Sequence, residues 1–100
     1  MLPKDGQQFN NTITEGENAF GVITANYTTL VALGTNSIYN HISIQSTLNQ
    51  EVSLRFGGTN EITIEVNENF VADNFNHSGN IEIRHSGVAP GSGYIKTRSW

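Results

Sequence analysis

Apolar residues fall on alternate positions through short runs of this chain, and the runs are separated by Gly, Asn and Ser. Val52, Leu54 and Phe56 alternate with Glu51, Ser53 and Arg55; after Gly57-Gly58-Thr59-Asn60, Ile62, Ile64 and Val66 alternate with Glu61, Thr63 and Glu65; Ile81 and Ile83 alternate with Glu82 and Arg84. A strand turns successive side chains to opposite faces, so this pattern buries one face and wets the other. Strands are predicted over residues 20–25 and 27–33, with a break at Asn26, then a turn at Gly34-Thr35-Asn36. A longer strand follows over residues 37–46, placing Ile38, Ile42 and Ile44 on one face and Tyr39, His41, Ser43 and Gln45 on the other. Asn40 interrupts the inward set and predicts either a polar partner or a bulge. Strands at 51–56 and 61–66 joined by a hairpin, a short apolar piece at Phe70-Val71-Ala72, a loop over Asp73 to Asn80, and strands at 81–85 and 94–100 complete the series.

About eight short strands with regular turn signals predict an all-β fold, a β-sandwich of jelly-roll or immunoglobulin-like arrangement. Residues 19–100 form a single domain in this reading. Residues 1–18 are mostly polar and read as an extended N-terminal arm, which either frays or becomes ordered on a neighbouring subunit with Phe9 and Ile13 as pegs.

Composition agrees with strand over helix. Ten Ile against five Leu favour a pleated surface. Leu, Ile, Val and Phe make up 26 of 100 residues, enough to fold. Only 14% of residues are charged, and thirteen Asn, ten Thr and eight Ser supply the polarity. Such a surface suits wet contacts with other proteins. A net charge of −4 with five basic residues argues against nucleic acid and against an anionic membrane surface. The lack of Cys excludes disulfides and thiolate metal sites. Neither a secretory leader nor a run near the roughly 20 residues of a membrane span is seen, so the chain is expected to be made and kept in the cytosol of its producer.

Candidate chemistry is thin. The segment Asp73 to Gly79, with Glu68 nearby, gathers oxygen ligands but matches no calcium loop, and reads better as an Asn-rich turn. His41, His77 and His85 lack ligand spacing; His85 is placed at the rim of the core with a backbone partner. Glu61 and Glu65 share an exposed strand face, unlike the cleft-held carboxylates of a glycosidase. No catalytic residue, cofactor or metal is assigned, and no enzyme activity is expected. Three matches to the glycosylation pattern, at Asn10, Asn26 and Asn76, are no more than this composition produces by chance. The last strand is the most informative candidate surface. Tyr94, Lys96, Arg98 and Trp100 share the face opposite Ile95, Thr97 and Ser99; they are either displayed outward as interface anchors or close the edge of the core.

The order of a strand at Ile42 to Gln45, then Val52-Ser53-Leu54-Arg55-Phe56-Gly57-Gly58, an alternating strand, a short apolar piece before Asp73, Ile81-Glu82-Ile83-Arg84 and Ser92-Gly93-Tyr94-Ile95-Lys96 resembles small β-sandwich proteins encoded in tailed-bacteriophage virion gene clusters. The resemblance covers residues 38–100. It implies a structural protein of the particle, a decoration or cement protein on the capsid exterior that binds across neighbouring capsid subunits. The implied partners are the major capsid protein or other virion subunits, together with further copies of the chain, a trimer suiting a three-fold site. The residues assigned to these contacts are Phe9, Ile13, Tyr39, His41, Tyr94, Arg98 and Trp100. A tail or head-to-tail connector component is a related reading. The competing class is a carbohydrate-binding module in which Tyr39, His41, Tyr94 and Trp100 form a stacking platform.

Overall fold

The computed structural model describes residues 8–9, 13–85 and 91–100. Its strands are β1 (Gln8–Phe9), β2 (Thr14–Ala19), β3 (Thr28–Ala32), β4 (Ser37–Ser46), β5 (Val52–Phe56), β6 (Asn60–Ile64), β7 (Asn69–His77), β8 (Asn80–His85) and β9 (Tyr94–Ser99), with one 3-10 turn at Phe20–Val22. Two sheets pack face to face. One runs β7-β4-β9-β2, with β1 added to β4 in parallel; the other runs β3-β8-β5-β6. β2 through β9 pair as one nested antiparallel hairpin: β2 with β9, β3 with β8, β4 with β7 and β5 with β6. Two further pairings, β4 with β9 and β5 with β8, roll that hairpin into two sheets. This strand order defines a jelly roll and excludes the immunoglobulin arrangement.

The alternating residues build the interior as the pattern requires. Ile42 and Ile44 from β4, Val52, Leu54 and Phe56 from β5, Ile64 from β6, Ile81 and Ile83 from β8 and Ile95 from β9 form one buried cluster, closed by Phe20, Ile23 and Leu48. Each of these isoleucines is sealed from solvent and contributes roughly 1.5–3 kcal/mol of apolar burial. The β5–β6 hairpin turns at Gly57 and Gly58, both at positive φ of 62° and 80°. Only glycine adopts that backbone without cost.

Three expectations change. Residues 20–25 are a 3-10 turn and irregular chain, with Phe20 and Ile23 folded inward as a plug. The first strand of the roll is instead β2, inside the stretch read as an arm; it pairs with β9 along its whole length and packs beside β3 through the buried Gly16. The turn-rich segment from Asp73 to His77 is strand, not loop, and β7 continues through it with Asn74 at φ 59°. The Asn residues that signal a turn are absorbed there by a bulge, and the turn itself falls at Ser78-Gly79, with Gly79 at φ 79°.

That bulge also moves Tyr39. In the β4–β7 ladder Tyr39 pairs with His77 and His41 with Asp73, so Asn40 alone faces Asn74, Phe75 and Asn76. On the other side of β4, the N–H groups of Asn40 and His41 both donate to the Trp100 carbonyl, at 3.0 and 2.9 Å. Two donors on one acceptor mark a bulge, as the interruption at Asn40 anticipated. The extra residue reverses the alternation, so Tyr39 is buried instead of sharing the outward face with His41.

Candidate functional site: the outward face of the β7-β4-β9-β2 sheet

The register lays the outward side chains in rows across four strands. Asp73, His41 and Trp100 form one row; Val71, Ser43, Arg98 and Glu15 the next; Asn69, Gln45, Lys96 and Glu17 a third; Tyr94 and Ala19 the last. Tyr94, Lys96, Arg98 and Trp100 therefore point away from the core, as their alternation with the buried Ile95, Thr97 and Ser99 requires. Of the two placements open to Tyr94 and Trp100, the structure has the outward one.

The rows are ordered by side-chain contacts. The Trp100 indole lies nearly parallel to the His41 imidazole, with centroids 5.2 Å apart and planes 12° from coincidence. His41 Nδ1 stands 3.0 Å from Asp73 Oδ1, so the carboxylate fixes the ring on which the indole rests. Glu15 holds Arg98 at 2.9 Å and Lys96 at 3.7 Å. Both cations are thereby paired, and among its polar side chains the face exposes Val71 at 68% and Tyr94 at 48%, with Ile13, just before β2, at 59%.

The opposite outer face, on the β3-β8-β5-β6 sheet, is different in kind. Arg55 binds Glu82 at 2.8 Å, Arg84 binds Glu61 at 3.6 Å, and both guanidinium groups lie over the Tyr27 ring at 4.1 and 4.7 Å from its centroid. The Tyr27 hydroxyl donates to Glu61. Partial burial and then that carboxylate push the phenol above its ordinary pKa. Charges and ring satisfy one another here.

Under the Trp100 end of the first sheet lies a buried pair that sequence reasoning missed. His77, on β7, places Nε2 2.9 Å from Ser99 Oγ on β9, while Nδ1 donates to the Phe75 carbonyl at 2.7 Å. The Phe75 carbonyl only accepts, so the neutral ring carries its proton on Nδ1 and accepts a hydrogen bond from the Ser99 hydroxyl at Nε2. A serine beside a histidine is a nucleophile beside a base, but a backbone carbonyl stands where an orienting acid belongs, and Ser99 is fully buried. The only sequence signal was parity: Ser99 sits on the inward side of β9, and the bulge that turns His77 inward is not readable from composition.

Other candidates separate in space. Glu68 accepts from the Glu65 N–H at 2.8 Å while Asp73 is held by His41, so the two carboxylates proposed to share an oxygen-rich loop serve different partners. The His85 ring stacks on Phe20 at 5.3 Å, at the rim of the core, and the His85 backbone N–H donates to the Thr24 carbonyl. Phe9 pairs with Ile38 through its backbone, and its side chain lies outside the described residues, as do residues 1–7, 10–12 and 86–90. No group of three or more His, Asp or Glu able to hold a metal occurs among the described residues.

The strand order defines a jelly-roll domain with paired charges around Tyr27 on one outer face and, on the other, exposed Val71, Tyr94 and the Trp100–His41 stack among polar side chains. No known protein family matches the sequence, and neither a curated protein nor a solved structure matches it significantly.

Proposed function

We propose that this chain is a non-enzymatic structural subunit of a bacteriophage particle, a decoration protein that sits on the capsid exterior and binds across neighbouring shell subunits. The observation that carries the reading is the contrast between the two outer faces. One is a closed set of ion pairs around Tyr27; the other exposes Val71, Tyr94, the Trp100–His41 stack and, at its edge, Ile13. Aromatic and Arg side chains on an ordered scaffold are the usual anchors of protein contacts, and a lattice multiplies modest contacts into a firm attachment. The partners in this reading are the major capsid protein and further copies of the chain, a trimer being the favoured oligomer. His41, Tyr94, Arg98 and Trp100 form the contact surface with Ile13 and the Phe9 segment beside it, while the buried Tyr39 supports it from beneath. Neither nucleic acid nor membrane takes part.

Two measurements test this. The first is the native mass of the full chain by light scattering after size exclusion, repeated without residues 1–12, a deletion that spares β2. A trimer that weakens on deletion supports the assembly. The second is the copy number per purified particle by quantitative mass spectrometry. Hundreds of copies fit a shell decoration; a dozen or fewer place the chain at the tail or connector; absence from the particle overturns the reading.

One observation favours a second reading, a glycan-binding module. A planar indole braced by an imidazole, with the exposed Asp73 carboxylate beside it, is a surface on which a sugar ring could stack and be hydrogen-bonded. Saturable quenching of the sole tryptophan by a glycan, lost in Trp100→Phe, would favour it.

A further inference from the structure

We propose that His77 is a proton-operated latch for the docking face: its neutral ring ties β7 to β9 beneath the Trp100–His41–Asp73 row, and a second proton on that ring releases the corner. The proposal rests on the reading of that face as a contact surface and adds its regulation.

The contacts form a closed circuit through the sheet. His77 Nε2 accepts from the Ser99 hydroxyl; Ser99 is followed by Trp100; Trp100 stacks on His41; His41 binds Asp73; and Asp73 opens the bulge that returns through Phe75, whose carbonyl accepts from His77 Nδ1. One buried ring thus holds both ends of the segment that presents the outward row. The Trp100 carbonyl, which takes the N–H groups of Asn40 and His41, belongs to the same circuit.

Among the described residues no ionised side chain faces the ring, and of its hydrogen-bond partners only the Phe75 carbonyl favours a positive charge there. From β4 the Tyr39 ring stacks on it at 5.7 Å, its hydroxyl engaged with Thr14 Oγ1 of β2. From β5 comes Phe56 at 5.4 Å, from β7 itself Phe75 at 5.4 Å, and from β9 the Ser99 hydroxyl. The charged and titratable groups nearby in the sheet, His41, Asp73 and Arg98, stand on its outer side, and no ionised side chain contributes to the titration of His77. Burial therefore dominates and lowers its pKa from the ordinary value, against the smaller opposing effect of the Phe75 carbonyl. Protonation would also reverse the bond to Ser99, Nε2–H donating to Oγ, and leave the buried Ser99 proton without its acceptor.

The sign follows. Above the ordinary imidazole range, near pH 6.5, latched and released states bind the same protons and the latch is fully stable. Below it the released ring takes a proton that the buried ring resists, so release gains up to about tenfold per pH unit until the native pKa is reached.

The test is amide hydrogen exchange of the full chain at pH 7.5 and 5.0, corrected for intrinsic rates, in the native protein and in His77→Gln. In the native protein, protection in residues 39–41, 73–77 and 98–100 should fall selectively at pH 5.0 relative to β5 and β8, by up to about thirtyfold. His77→Gln, which keeps a polar group of similar size but gains no proton, should show no such selective fall. An equal fall in His77→Gln, or none in the native protein, overturns the latch. Should that variant fail to fold, ring nitrogen shifts of His77 in the native protein decide: titration coincident with the loss of protection supports the proposal, and titration without that loss overturns it. Attachment to particles at pH 7.5 is read in parallel. A chain that does not attach but whose corner still opens in acid refutes the docking surface and leaves the latch; a chain that attaches but whose corner stays closed refutes the latch and leaves the docking surface.

Discussion

Gly16 on β2 faces Val31 on β3 so closely that a Cβ added to the glycine would lie 2.5 Å from the valine Cβ. The two residues belong to different sheets and close one long side of the roll without a loop between them. Gly16→Ala should therefore force the sheets apart and cost about 1–3 kcal/mol, lowering Tm by several degrees. Adding Val31→Ala should recover most of the loss, a coupling that a double-mutant cycle of denaturant midpoints would measure.

Tyr27 tests the closed polar face. Tyr27→Phe keeps the ring under Arg55 and Arg84 and loses only the bond to Glu61, so stability should fall by less than about 1 kcal/mol. Tyr27→Ala removes the ring as well and should cost about 1–2 kcal/mol, because each guanidinium–ring contact contributes about 0.5–1 at an exposed site. Equal effects of the two variants in urea denaturation would mean that the ring contacts contribute nothing.

Glu65 gives a pH dependence of the opposite sense to His77. Repulsion from Glu51 is the leading cause that raises its pKa, with desolvation, a bond to Glu51 and repulsion from Glu68 behind it. The folded chain thus binds the Glu65 proton more readily than the unfolded chain, and this carboxyl loses stability for the fold as pH rises through the carboxylate range. Glu65→Gln should raise Tm at pH 7 in low salt, and the gain should vanish below about pH 3.5, where carboxylates are protonated, and shrink in 1 M salt. A gain independent of salt would refute the electrostatic origin.

Trp100→Ala separates the interface from the fold. The indole rests on a partly exposed ring outside the core, so its loss should cost no more than about 1.5 kcal/mol in a thermal melt. Attachment to particles, or self-association, should fall at least tenfold. A large loss of stability with undiminished attachment would show that the stack braces the fold and faces no partner.

The strands that form the centre of the fold were legible because most of their inward positions are Ile, Val, Leu or Phe, with Asn40 in β4 and Thr97 and Ser99 in β9 among the polar exceptions. β4, β5, β6, β8 and β9 lie within two residues of their predicted bounds, and the outward set Tyr94, Lys96, Arg98 and Trp100 follows from the parity of β9 alone. β2 was hidden because an edge strand needs few apolar residues: Thr14–Ala19 buries only Gly16 and keeps Glu15 and Glu17 in water. Tyr39 and His77 were hidden for another reason. A bulge shifts parity, and every side chain beyond it changes face. The Asp73–His41 and His77–Ser99 contacts both depend on that one irregularity, so neither could be found by spacing.

The nested pairing of the strands has a bearing on how the chain is made. β2 begins at Thr14 and finds its place beside Ser99, and β4 lies between β7 and the same last strand. A nascent chain emerging from the ribosome can form the central β5–β6 hairpin early, but the β7-β4-β9-β2 sheet stays open between β4 and β2 until β9 has emerged. Pairings so distant in sequence make for slow folding, and during that wait the free edges of β2 and β4 are open to the same strands of a second nascent copy. The place where the roll closes last is thus where two copies would most readily exchange strands.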